Sequence, residues 1–279
     1  MTLGFPNSLE SFDVAELLGG LYGDGIIGCK GAFSREWVQR LREDIDELFV
    51  EALARAGGAL QRGPNRFYVE VHPERIRGFI DLATHPWVTA VCHAVLGPNY
   101  QIVETGFDVP GPGAQKQPWH RDFAMPGATA VERRLNSLAF NLTTVDVVEE
   151  MGPFEIALGT QWDEIESDDA KGMFPMPSSY ARYESRAQKK YPRMGDISAR
   201  SALAIHRGTA NISNLSRPVF VLGVDAPDAC NALHHDLQVS QQYWQTLPLE
   251  VQQHLTCRMV DELEPVRQAH TIEGLLTGV

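Results

Sequence analysis

The spacing of apolar residues changes near residue 100. Between residues 34 and 56, Trp37, Val38, Leu41, Ile45, Leu48, Phe49 and Ala52 recur at intervals of mostly three and four, with acidic residues between them. That spacing lines one face of an α-helix, and Ser34 stands where its side chain can cap the first turn. Residues 13–22 also read as helix, as does the stretch from His85-Pro86-Trp87 to Leu96, which Gly97-Pro98 stops. Two extended segments are interleaved with them: Gly25-Ile26-Ile27-Gly28-Cys29, and Arg66 to Val71, which alternates like a half-buried strand.

Beyond residue 100 the period drops to two. Segments 100–109, 117–123, 136–145, 153–158, 202–206, 210–214 and 218–225 are short, rich in Val, Ile, Phe and Thr, and divided by Gly, Pro or Asn. With no internal repeat, this series predicts a mainly β fold of the sandwich or jelly-roll kind, with helices beside it. Residues 160–200 interrupt the series with a polar insert carrying Met and Pro, long enough that a lid over a site is expected. From Ser240 the chain reads as helical again, so 227–279 is expected to form a helical segment. No linker divides the chain, and residues 1–279 are expected to form one domain with its core at about 20–226.

Composition narrows the partners. A formal charge of −12, with no Lys/Arg cluster, argues against a nucleic-acid backbone as ligand. Cys29, Cys92, Cys230 and Cys257 are far apart, so neither a zinc knuckle nor a disulfide framework is indicated, and a reducing cytoplasm fits. No apolar run is long enough to span a membrane, and the first residues lack the pattern of an export signal.

Candidate chemistry starts at Gln117-Pro118-Trp119-His120-Arg121-Asp122-Phe123. In an extended segment His120 and Asp122 point to one face and Arg121 to the other, which puts two possible metal ligands on one wall. Alone, such a triplet is as well explained by a structural hydrogen bond or a solvated turn. A third ligand should come from a late strand. His72 and His85 precede prolines at element boundaries, His93 lies on a helix, and His234, His235, His254 and His270 fall in the polar C-terminal part. His206 remains, at the end of the apolar run Ala202-Leu203-Ala204-Ile205. Two imidazoles and one carboxylate form a facial triad that leaves positions open on Fe(II), and Zn(II) can use the same donors. Arg217 follows on the next strand, and its rigid fork suits a carboxylate held bidentately.

Together, His120-x-Asp122, His206 and Arg217 resemble the Fe(II)/2-oxoglutarate-dependent oxygenases of the phytanoyl-CoA dioxygenase (PhyH) family. The resemblance extends over about residues 20–226. It includes Gly25-Ile26-Ile27-Gly28 before the helix from Ser34, Leu96-Gly97-Pro98, the Pro-Gly turn before Trp119, Met151-Gly152-Pro153-Phe154-Glu155-Ile156 and Gly195-Asp196 ahead of His206. It implies a double-stranded β-helix, cupin-like, with flanking helices. It also implies Fe(II) on His120, Asp122 and His206, a 2-oxoglutarate clamped by Arg217, and O2 as the other co-substrate. The implied reaction is hydroxylation of a C–H bond, or a desaturation or ring closure begun the same way, releasing succinate and CO2. Halogenating relatives need a small residue where Asp122 stands, which disfavours halogenation.

Three positions depart from or extend the pattern. The turn usually written Pro-Gly-Ser-His is Leu158-Gly159-Thr160-Gln161, which loses a histidine that is not a ligand. The small hydroxyl residue common two positions after the distal histidine is Gly208, and Thr209 is the candidate to substitute for it. Arg66 stands where relatives often place a basic pocket residue. Trp119, Phe123, Met125 and Phe174 are candidate substrate contacts. The implied substrate is a small molecule, free or tethered to a carrier. Two other readings use the same residues: a metal-dependent hydrolase or isomerase on a jelly roll, and a catalytically silent binding module.

Overall fold

The computed structural model describes residues 12–167, 172–229 and 231–268. Its strands are β1 (Ile26–Cys29), β2 (Leu60–Gln61), β3 (Arg66–Glu70), β4 (Gln101–Pro110), β5 (Ser137–Thr143), β6 (Phe154–Ala157), β7 (Ala187–Lys190), β8 (Ile197–Ser201), β9 (His206–Gly208), β10 (Val219–Asp225), β11 (Gln238–Ser240) and β12 (Arg258–Val260). Seven of them form the larger sheet, in the order β1-β8-β5-β10-β4-β3-β2, every pair antiparallel. A smaller antiparallel sheet has the order β7-β6-β9, and a single bridge between His120 and His206 extends it. The architecture is a jelly roll flanked by helices.

Alternation along the large sheet explains where the core and the site lie. On β10, Phe220, Leu222 and Val224 are fully buried on one face, while Val221, Gly223 and Asp225 line a cavity on the other. On β5, Leu138, Phe140 and Leu142 likewise join the main apolar cluster, and Ala139, Asn141 and Thr143 line the cavity. The apolar face is covered by α1 (Val14–Gly23), α2 (Arg35–Leu53), α3 (Phe79–Ala83) and α4 (Pro86–Leu96), whose Leu21, Val38, Ile45, Phe79 and Val91 are almost fully buried. Each such side chain contributes about 1.5–3 kcal/mol by leaving water. Ser34 caps α2 by accepting from the Trp37 amide, and Gly97, at φ 87°, ends α4.

Several expected elements differ. Residues 117–123 form no strand beyond an isolated bridge at His120, the strand expected at 202–206 begins at His206, and 210–214 is irregular. The stretch 160–200, expected as an insert, is partly built into the sheets: β7 joins the small sheet, and β8, which begins at Ile197, sits between β1 and β5 in the large one. Its sequence, Ile197-Ser198-Ala199-Arg200-Ser201, reads as polar since Ser198 and Arg200 face the cavity. Helix Tyr180–Glu184 in the same stretch packs Tyr183 beside Trp119 and Ile205, on the side of the small sheet that faces away from the cavity. The C-terminal part has short helices at Gln241–Thr246 and Leu249–His254, but also the parallel pair β11 and β12. Residues 269–279 lie outside the described residues. Among the described residues, no helix is long and apolar enough to cross a membrane.

Candidate metal centre and its cavity

The two sheets enclose a cavity of about 460 Å³, and His120, Asp122 and His206 converge on it. One donor atom from each lies within 4.8 Å of the others. Backbone pairing sets this geometry. His120 and His206 exchange amide–carbonyl bonds of 3.0 and 2.8 Å, and the Asp122 amide donates to the Ala202 carbonyl at 3.0 Å. The alternation expected from the sequence holds: His120 and Asp122 line the cavity, while Arg121 turns away and donates to the Asp163 carbonyl.

Hydrogen bonds prepare the donors. Nδ1 of His120 lies 2.9 Å from the Pro118 carbonyl, and Nδ1 of His206 lies 2.9 Å from the Ala204 carbonyl. A carbonyl can only accept, so each proton sits on Nδ1 and each Nε2 keeps its lone pair. Burial pushes His120 down to about 4 and His206 well below its usual range, with the Arg200 charge adding to both effects. Burial alone would raise Asp122. The charge and hydrogen bond of Arg200, together with the two imidazoles, outweigh burial and hold this carboxyl below the usual carboxylate range. Arg200 binds Oδ2 at 2.6 Å, leaving Oδ1 3.4 Å from His206 Nε2. Two neutral imidazoles and one carboxylate, each fixed by a second partner, fit a divalent metal with open coordination positions.

A second polar corner of the cavity holds Arg217 and Arg66, both buried. Asp108 pairs with Arg66 at 3.2 Å, and the Thr209 carbonyl accepts from it at 3.1 Å. Arg217 makes no side-chain hydrogen bond or ion pair with the described residues, and its buried Nε is without a partner. Burial and the neighbouring Arg66 charge lower Arg217 to about 10, with Asp108 opposing the shift, so it stays cationic at neutral pH. The space beside Gly208 is taken by Arg66: a Cβ at 208 would lie 2.6 Å from two guanidinium nitrogens. This explains why no hydroxyl residue stands there. Thr209 does not take its place, because its hydroxyl donates to the Pro153 carbonyl at 2.7 Å, away from the cavity.

Of the candidate substrate contacts, Phe123 lines the cavity, and Phe174 stacks on the His120 ring with centroids 5.8 Å apart. Trp119 is fully buried outside the cavity under the Arg207 guanidinium, and Met125 is half-buried and does not line it. Sequence reasoning missed Arg200, Phe154, Glu104 and Asp225, all on the cavity wall.

The family model for phytanoyl-CoA dioxygenase (PhyH) matches residues 21–219. A search of curated proteins by sequence finds no match. Among solved structures, the non-heme alpha-ketoglutarate-dependent carbocyclase SnoK from nogalamycin biosynthesis is similar at 18% identity and a TM-score of 0.62, over 81% of this chain and 88% of that one. The epimerase SnoN, solved with Fe3+, alpha-ketoglutarate and nogalamycin RO, gives 18% identity and 0.60 over 76% and 83%. HygX from Streptomyces hygroscopicus, solved with nickel and 2-oxoglutarate, gives 14% and 0.57 over 76% and 87%. These likenesses agree on the fold, and the family match spans the helix-flanked jelly roll from α1 to the start of β10, with the three converging donors and Arg217 inside it. The chain belongs to the phytanoyl-CoA dioxygenase family.

Proposed function

We propose that the protein is an Fe(II)- and 2-oxoglutarate-dependent oxygenase that hydroxylates an unactivated C–H bond of a small-molecule metabolite. In this reading His120, Asp122 and His206 hold the iron, and Arg217 anchors the distal carboxylate of 2-oxoglutarate. The observation that carries it is Arg217: a buried guanidinium without a partner among the described residues, in the cavity that holds a three-donor centre. A zinc hydrolase with the same donors has no use for such a group, and a silent module has no use for either. The bound ligands of SnoN and HygX support the same reading.

Iron, with 2-oxoglutarate and O2, supplies the oxidising power to break a C–H bond and yields succinate and CO2 as co-products. The chain supplies everything else. Arg200 keeps Asp122 ionised and aims Oδ1 at the imidazoles, while the Pro118 and Ala204 carbonyls hold both ring orientations. Arg66, tied to Asp108 and Thr209, adds positive charge beside Arg217. Phe154 and Phe174 pack against the ligand rings, His206 and His120, and exclude water there. Because Asp122 occupies the carboxylate position, hydroxylation, desaturation or ring closure is favoured over halogenation.

Anaerobic addition of Fe(II) and then 2-oxoglutarate tests the reading. A visible metal-to-ligand charge-transfer band is expected, and tight zinc binding without such a band would favour hydrolysis instead. The Arg66 corner gives a second test. Gly208→Ser adds the hydroxyl seen in relatives, yet it must push aside the Arg66 guanidinium, so affinity for 2-oxoglutarate is expected to fall about tenfold. Tighter binding by this variant would show that Arg66 yields freely and does not shape the corner.

A further inference from the structure

The end of the cavity away from Arg217 has the opposite charge. Strand β10 runs between the two ends, with Arg217 two residues before its first residue and Asp225 as its last, and the strand itself is roughly 20 Å long. Asp225 and Glu104 line this second end, and Glu70 lies behind them on β3. Most of this group is accounted for. Glu104 accepts from the Tyr68 hydroxyl, and Glu70 contacts His235 at 3.3 Å and accepts from the Asp236 amide at 3.1 Å.

Asp225 is not. It is 1% exposed, lines the cavity, and neither of its carboxylate oxygens makes a hydrogen bond with the described residues; Ser137 and Asn231 lie beside it without reaching bonding geometry. A buried carboxylate without donors is costly to keep, and nearly all such groups in folded proteins have a partner. Gly223 keeps the space in front of this pair open, since a Cβ there would come within 2.6 Å of Glu104 Oε2. His235 lies against all three carboxylates, Glu70, Glu104 and Asp225.

We infer that Glu104 and Asp225 form a receptor for a cationic group of the substrate, an ammonium or a guanidinium. The inference rests on the oxygenase reading of the same cavity and names the substrate class for it: small molecules carrying a protonated amine or guanidine. Backbone pairing sets how far that group lies from the reacting carbon. Asp225 pairs with Ser137, the Ser137 carbonyl accepts from Ala202, and the Ala202 carbonyl accepts from Asp122. Three strand spacings put the Asp225 backbone within roughly 15 Å of Asp122, the length of one metabolite. A substrate held by its cation at Asp225 therefore reaches the metal with its far end. Burial pushes Asp225 up to about 6, with Glu104 adding to the rise and Ser137 and His235 opposing it, so the group is mostly ionised at pH 7 and ready to pair.

The test uses the whole protein, loaded anaerobically with Fe(II) and 2-oxoglutarate. Butylamine and cyclohexylmethylamine are titrated against the alcohols of the same shape, with binding followed by ligand-observed NMR. In the wild type the amines are expected to bind at least about tenfold more tightly than the alcohols, the scale of one charge-assisted hydrogen bond. Asp225→Asn and Glu104→Gln should each abolish that preference, while the charge-transfer band, which reports the other end, is unchanged. If the band forms and wild type takes amines no better than alcohols, absence of all binding included, the receptor is overturned. Amine preference that survives both substitutions overturns it as well. A variant that fails to fold leaves the wild-type comparison decisive. Failure of the band itself overturns the oxygenase reading, and the amine preference still reports on the receptor separately.

Discussion

His206→Ala is expected to reduce iron occupancy and turnover to background with little loss of stability, whereas Asp122→Ala should lose both iron and stability. The difference comes from what each side chain leaves behind. His206 is neutral in the fold, and its removal orphans only the Ala204 carbonyl, a loss of about 1 kcal/mol. Even partners of metal ligands are worth roughly ten- to a hundredfold in affinity, so loss of one of three ligands costs more than that. Asp122 also neutralises Arg200, whose side chain is 9% exposed. Taking the carboxylate away leaves a buried guanidinium with no ion-pair partner among the described residues and the Phe154 ring 5.7 Å away, and breaking a buried pair this way costs about 3–5 kcal/mol. Metal analysis with urea denaturation checks both, and stoichiometric iron in His206→Ala would remove that residue from the site.

How much of this was legible depended on which face of a strand each residue occupies. Period-two alternation is enough to put His120 and Asp122 together and to turn Arg121 outward, because side-chain direction in an extended segment is local. Elimination of His85 also rests on local chemistry, since it accepts from the Trp87 amide at the start of α4, whereas His254, set aside because it falls in the polar C-terminal part, is buried and bonds to the distant Tyr100 carbonyl. Alternation says which residues share a face, but not whether a polar face meets water or a closed cavity. Arg200, Glu104 and Asp225 therefore look like solvated strand residues in the sequence, although each is on the cavity wall. The same ambiguity hid β8, whose inward Ser198 and Arg200 make a strand of the large sheet read as part of a polar insert. Trp119 shows the converse error. Its place beside His120 suggested a substrate contact, but odd and even positions part there too, and its ring lies in the apolar cluster outside the cavity. Thr209 fails for the same reason, one residue past an inward Gly208.

Arg217→Met is expected to make the ligand-free protein more stable and to remove its response to 2-oxoglutarate. Arg217 carries its charge in a place where only 5% of it is exposed and no described residue bonds to it. Burial, and then the Arg66 charge, lower its pKa to about 10. A base lowered in the fold relative to the unfolded chain destabilises the fold at every pH below the lowered value, and the penalty fades as pH rises through about 10 towards its ordinary value. At neutral pH the penalty is present in full. Methionine occupies similar space without charge, so a gain of about 1–3 kcal/mol is expected, as when other buried ionic groups give way to apolar ones. Binding of 2-oxoglutarate should weaken by roughly a hundredfold or more, because a bidentate fork makes two charge-assisted bonds of about 1.5–3 kcal/mol each, and ~1.4 kcal/mol is a factor of ten. Arg217→Lys keeps the charge but loses the fork, and roughly ten- to a hundredfold is expected there. Arg66 cannot take over, since Asp108 and the Thr209 carbonyl already hold it. Iron affinity should scarcely move in either variant. Thermal melts with and without 2-oxoglutarate, beside a titration at fixed Fe(II), measure these effects separately. An Arg217→Met protein less stable than wild type would mean that the fold itself satisfies the charge, and unchanged 2-oxoglutarate affinity would take away the anchor on which the oxygenase reading stands.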